Sequence, residues 1–233
     1  MIAFLAFAFF VGFVIESIVG FGGTLIAYSF LLFFFDIKLL IIATIILPII
    51  ASIFILLSDY KSINWKVLLI FTPICLAGIP FGIMLFSYLS SNVILKILST
   101  FLILFGLRSI FFGEIVTHGW IAKTIVFVSG VIHGLIGTGG PISIIGMKTA
   151  LKTKSSIRAS MAVFFLVLNI FRIIQLYLAG VEIKEFFVNI YIAIPMILGI
   201  IIGHKIHKKI TEGQFKMTLS IFFIIAGILL FLR

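Results

Sequence analysis

Five stretches without a single charged side chain, Ser17–Phe35, Leu39–Ser58, Val67–Leu95, Thr124–Met147 and Phe186–His204, decide what this chain can become. Each is about long enough to cross the hydrocarbon of a bilayer, which takes ~20 helical residues. Charged residues are 10% of the whole, against the quarter or so that a water-facing surface of this size needs, and mean hydropathy is +1.42. Leu, Ile, Phe, Gly and Pro fill the runs without the strict alternation of barrel strands. The fold class expected is therefore an all-α polytopic membrane protein, with residues 1–233 forming one membrane domain in the lipid bilayer of the cell (cytoplasmic) membrane.

A net charge of +10 would suggest nucleic acid in a soluble chain. Here retention of Lys and Arg on the cytoplasmic side explains it, and no basic face exists outside the loops, so nucleic acid is excluded as a partner. The single cysteine, Cys75, rules out an internal disulfide and reads as a small buried hydrophobe. The chain starts apolar at Ile2, with no basic leader, so its first segment is expected to be a membrane element.

Internal symmetry is the next constraint. Gly20-Phe21-Gly22-Gly23-Thr24 matches Gly137-Thr138-Gly139-Gly140-Pro141 at an offset of 117 residues, and Gly78, Gly82 and Gly106 match Gly199, Gly203 and Gly227 at 121. The spacing predicts two inverted repeats, 1–112 and 120–233. Each opens with an apolar stretch broken by its glycine cluster. Residues 2–19 would make a helix of ~27 Å and 24–35 one of ~18 Å; the second copy, 121–136 and 142–151, gives ~24 Å and ~15 Å. Together each pair is too long for one crossing and too short for two, which predicts a re-entrant helical hairpin. Three spans follow in each repeat, near 39–58, 67–88 and 93–112, then 157–179, 186–204 and 214–232.

Charge supports the hairpins. With three crossings per repeat, one side collects Lys61, Lys66, Arg108, Lys123, Lys148, Lys152, Lys154, Arg158, Lys205, Lys208, Lys209 and Lys216, twelve in all. The other holds four, Lys38, Lys96, Lys184 and Arg233. A broken segment that crossed once would give ten to six. The positive-inside bias favours the hairpin, with both termini outside the cytoplasm.

Candidate binding residues follow from these breaks. Paired glycines let backbone N–H groups approach a ligand, and a helix that starts within the membrane points unpaired amides and a positive dipole end inward. Gly22, Gly23 and Thr24, with Gly139, Gly140 and Pro141, are thus candidates for holding an anion. Close helix packing is the structural alternative. Arg172 lies inside the run Met161–Ala179, with Asn169 and Gln175 three residues to either side on roughly one helix face. Its fork of donors suits an oxyanion; an interfacial position or a pair with Glu16 would be structural roles. Ser52 and Ser58 fall opposite Asn169 and Gln175 in the first half, and Ile55 stands in place of the arginine. Glu16 and His133 occupy matching positions one turn before their clusters and are candidates for carrying protons. His118, His204 and His207 share no ligand spacing with carboxylates, so no metal or other cofactor is expected.

The cluster Gly134-Leu-Ile-Gly-Thr-Gly-Gly-Pro141, its first-half counterpart, Arg158-Ala-Ser, Asn169-Ile-Phe-Arg172, Gly180 and the pattern Pro195, Gly199, Gly203 together resemble the sulfite exporter TauE/SafE family. The likeness runs over essentially the whole chain, with Thr24 standing where the second half has Pro141. It implies movement of sulfite, organosulfonates or related small anions across the cytoplasmic membrane, usually outward. It also marks the glycine clusters and the Asn169–Arg172 stretch as the places for substrate. The function expected is a secondary transporter of small oxyanions working by alternating access, with proton coupling open. A passive anion channel is the alternative in another class. A membrane enzyme is not expected, since neither a nucleophile with a base nor a metal cluster is visible, and without a GxxxxGK[ST] motif ATP use is not expected either.

Overall fold

In lipid every backbone amide and carbonyl must find its partner within the protein, and helices are the local way to do so. The computed structural model describes residues 2–19, 22–111, 117–151, 153–181, 190–207 and 212–233. All regular structure among them is helical: α1 (Ile2–Val19), α2 (Gly23–Leu31), α3 (Ile37–Ala43), α4 (Leu47–Asp59), α5 (Trp65–Tyr88), α6 (Ser91–Phe111), α7 (Gly119–Ile136), α8 (Gly140–Met147), α9 (Lys154–Leu178), α10 (Ile190–His207) and α11 (Glu212–Phe231), with one 3₁₀ turn at Tyr60–Ser62. Gly20, Phe21, Lys152, Lys184, Lys208, Lys209 and the side chains of Ser58, Lys154 and Lys216, all used above, lie outside this description.

Among the described residues, four helices are long and apolar enough to cross a membrane, and α3 with α4 makes a fifth if the bent pair is one span. The burial pattern is that of a lipid-facing protein. Arg158 and Arg172 are among the largest fully buried side chains, while Leu69, Phe111 and Leu178 face outward. Exposed aromatics mark both rims: Tyr60, Trp65 and Trp120 at one end, Tyr88 and Tyr177 at the other.

Both opening segments fold back on themselves. Thr117, just before α7, donates through Oγ1 to Ile145 O at the end of α8 (2.9 Å), and its N–H reaches Thr149 (3.3 Å). In the first half the rings of Phe4 and Phe34 stack edge to face at 5.1 Å, bringing the start of α1 to the residues after α2. The hairpins open to opposite ends of the bundle, an arrangement compatible with inverted repeats. At the end where α7–α8 opens, Asn64 N–H donates to Ser160 (2.9 Å) and Arg158 meets His204, so Lys61, Lys66, Lys148 and Lys205 cluster there. Asp36, Ser91 and Arg233 wall a cavity at the other end, near Lys38.

Glycine holds the hairpins in place. Gly78 and Gly82 of α5 sit directly on the α7 backbone at Phe127 and Val131, and Gly199 and Gly203 of α10 sit on α1 at Phe10 and Val14. Each hairpin is therefore zipped to a helix from the other half. Gly106 and Gly227 make reciprocal contacts, on Ser220 of α11 and Ser99 of α6. Without a hydrophobic force between helices in lipid, such close approach supplies the dispersion contact that holds them.

One span departs from the expectation. Residues 39–58 do not form an ordinary helix: α3 and α4 meet at a 45° bend. Pro48 stands in the first turn of α4, where it has no N–H to give and its ring excludes the carbonyl four residues before, at Thr44. The matching α9 runs unbroken for 25 residues.

Two tests follow. A cysteine at Val181 should react with a membrane-impermeant maleimide on intact cells, and one at Ser155 only after permeabilisation; the native Cys75 is fully buried and adds no background. Labelling of Ser155→Cys on intact cells would refute this orientation. Gly82→Leu should lower the unfolding midpoint in detergent, since overpacking costs about 1–3 kcal/mol; an unchanged midpoint would mean the α5–α7 contact is loose.

Candidate functional site

Three helices that start at the ends of the bundle carry side-chain caps, Asp36 for α3, Asn64 for α5 and Thr153 for α9, whereas His118 gives α7 none. The starts of α2 and α8, inside the bundle, have no side-chain cap either. Gly22 precedes α2 and Gly139 precedes α8, and neither has a side chain to offer. Their first amides are thus left for groups from elsewhere. Gly22 takes φ +94°, a conformation open to glycine and strained for other residues.

Glu16 and His133 meet those amides. Gly23 N–H donates to Glu16 Oε2 at 2.7 Å, the length of a charge-assisted bond. Gly139 N–H donates to His133 Nδ1 at 3.4 Å, which places the proton of the neutral ring on Nε2. That nitrogen is buried and has no hydrogen-bond partner among the described residues. Phe165 packs against the imidazole at 5.7 Å between centroids, and the nearby Asn169 turns its amide to Phe165 O (2.8 Å).

Arg172, only 1% exposed, lies beside the tip of the second hairpin. Its Nε donates to Gly134 O at 3.1 Å, satisfying a carbonyl in the last turn of α7. The guanidinium rests on Gly137, where a Cβ would stand 2.8 Å from Nη1. Its Nη2 is buried and has no partner among the described residues. Glu16, committed to Gly23, does not pair with it, and the structural pair considered above does not form.

Between the two hairpin tips lies a cavity of ≈ 20 Å3, about the room one water needs. Glu16, Gly22, Thr24, Gly140 and Asn169 line it, together with four residues that sequence reasoning left out of the site: Pro48, Gly137, Thr138 and Phe165. Gly23, Gly139, Pro141, His133 and Arg172 stand immediately behind that lining. Ser52 is buried one turn beyond Pro48 on α4, and Gln175 is half-buried one turn beyond Arg172; neither reaches the cavity. Gly137 and Thr138 carried a signal, since they belong to the repeated cluster. Phe165, one of 28 phenylalanines, carried none.

Arg158, placed above among the charges of one rim, is buried instead, at 2% exposure. It meets His204 Nδ1 (2.9 Å) and donates to Ser17 Oγ (3.4 Å), which in turn donates to Ile200 O (2.8 Å). This ties α9 to α1 and α10. The single helix α9 therefore sets one arginine beside the last turn of each long hairpin arm.

Apolar outer walls around a buried polar interior are those of a multi-pass membrane protein, and similarity to known proteins places it among membrane transporters. The chain belongs to the sulfite exporter TauE/SafE family, which it matches over residues 4–230. It is similar to the probable inner membrane transporter protein TsaS of Comamonas testosteroni, with 22% identity over 175 residues, 73% of either chain. No solved structure matches it significantly.

Gly137→Ala tests the geometry, because the residue needs φ +81° and a Cβ would press on Arg172. The backbone strain alone is about 1–2 kcal/mol. The variant should show a lowered unfolding midpoint together with weaker anion binding; unchanged values of both would detach Arg172 from the hairpin tip.

Proposed function

We propose that the protein is a secondary transporter of the cell membrane that moves small oxyanions, sulfite or organosulfonates, outward by alternating access at the cavity between the hairpin tips. The observation that carries this reading is Arg172 Nη2, a buried cationic donor with no acceptor among the described residues. Leaving such a donor unpaired costs about 1–3 kcal/mol or more, so a chain retains one where a ligand supplies the missing acceptor. His133 Nε2 is a second buried donor, though a neutral one, and the α8 amides add a positive dipole end. The family's description as sulfite exporters and the relative's as an inner membrane transporter favour this cargo class and this membrane.

Gly22, Gly23, Thr24, Gly139, Gly140, Pro141 and Asn169 would shape the site around the anion, and Glu16 and His133 are the groups able to carry a coupled proton. A cavity near 20 Å3 has room for about one water, which supports reading this state as a contracted one between outward and inward openings.

Calorimetry with sulfite on purified protein tests the site. Arg172→Lys keeps charge without the planar fork and should bind moderately more weakly; Arg172→Gln should lose roughly tenfold to a hundredfold in affinity. Normal affinity in an inserted Arg172→Gln protein would leave the arginine only its cap on α7. In proteoliposomes, uptake against an opposing gradient separates coupled transport from a channel, which can only equilibrate.

A further inference from the structure

We infer that Glu16 is a tethered anion: its carboxylate holds the start of α2, and an oxyanion takes that place only when the carboxylate gives up its charge or its position. This rests on the oxyanion reading of the cavity and assigns Glu16 a part in it that is neither passive lining nor helix capping alone.

Three observations carry it. First, α2 has no side-chain cap of its own, and the group that takes its first amide is a carboxylate from the preceding helix, seven residues upstream. The bonding position an incoming anion would use is already filled by an anion belonging to the chain. Second, Glu16 lines the cavity, and ≈ 20 Å3 admits about one water, not an oxyanion beside an undisplaced carboxylate. Third, the groups behind the opposite wall differ in kind. The position matching Glu16 holds neutral His133, and Arg172, whose guanidinium rests on the lining residue Gly137, keeps a buried Nη2 without an acceptor among the described residues. One hairpin thus holds an anion in reserve, and a cationic donor in need of one stands beside the other.

The remaining buried titratable groups on neighbouring elements do not neutralise Glu16. Tyr28 of α2 bonds Thr44, His133 of α7 takes the Gly139 amide, and Arg172 of α9 bonds Gly134. Arg158 of α9 and His204 of α10 meet one another. Charged Glu16 and a bound oxyanion would share the cavity as like charges in a medium that screens them poorly. Binding is therefore linked to removal of the Glu16 charge, and affinity should rise as pH falls.

Glu16→Gln separates this from capping, because the amide oxygen still accepts from Gly23 N–H while the charge is gone. Thiosulfate is the probe, since its own charge is constant from mildly acidic to neutral pH, with sulfite as the second anion. The full-length protein in nanodiscs should bind thiosulfate more tightly at acidic than at neutral pH. Glu16→Gln should bind on the order of tenfold more tightly than wild type at neutral pH, with the pH slope flattened. Equal or weaker binding by Glu16→Gln, or an unchanged slope (which would belong to His133), overturns the inference. If Arg172→Gln still weakens binding in that case, the oxyanion site stands without it. No binding of either anion by wild type or variants overturns both.

Discussion

A helix that begins or ends inside a membrane leaves backbone groups that neither water nor lipid can satisfy, and most of this structure follows from meeting that demand. The two hairpins place four such ends within the bundle: the starts of α2 and α8 and the last turns of α1 and α7. The starts take Glu16 and His133. The second hairpin's last turn takes Arg172, and Arg158 stands beside the first hairpin's. Of these groups Glu16 lines the cavity, and His133 and Arg172 stand behind its lining. Repair of broken backbone and the candidate site thus draw on the same residues.

Precision of that kind needs a rigid frame. Gly78 and Gly82 against α7, and Gly199 and Gly203 against α1, let backbones touch where side chains would hold them apart. Because each hairpin is zipped to a helix of the other half, neither half can shift as an independent block. The two zipped groups meet through several helices, among them α4 and α9, which pack on one another. The bend at Pro48 lies at the start of α4 and on the cavity wall.

The glycine landmarks of the two halves match in sequence, whereas the groups beside them do not. Arg172 has Ile55 as its counterpart, Glu16 has His133, and a continuous α9 answers a broken α3–α4 pair. A perfectly symmetric site would present two like carboxylates or two like imidazoles to one anion. Here an acceptor, Glu16, belongs to one hairpin, and a neutral ring, His133, takes its place in the other, with Arg172 of α9 beside it.

The sequence by itself determined the class, the helices, the two breaks and the candidate groups. Uncharged runs of bilayer length, paired glycine clusters and an arginine inside an apolar run are local features whose cost in lipid leaves few alternatives. Most of the site was legible for that reason: Glu16, Gly22, Thr24, Gly140 and Asn169 line the cavity, and Arg172 and His133 stand behind it. Only the tertiary structure decided which polar groups meet. Glu16 could have paired with Arg172 and instead caps α2; Arg158 could have faced solvent and instead lies buried; Ser52 and Gln175 share a helix face with site residues yet stop a turn short. Spacing along one helix sets direction, but contact depends on how far and at what angle a second helix approaches. That approach is set here by glycines tens of residues away, whose partners no local pattern names, and by the bend at Pro48, whose ring marks the place of the break but not what it packs against.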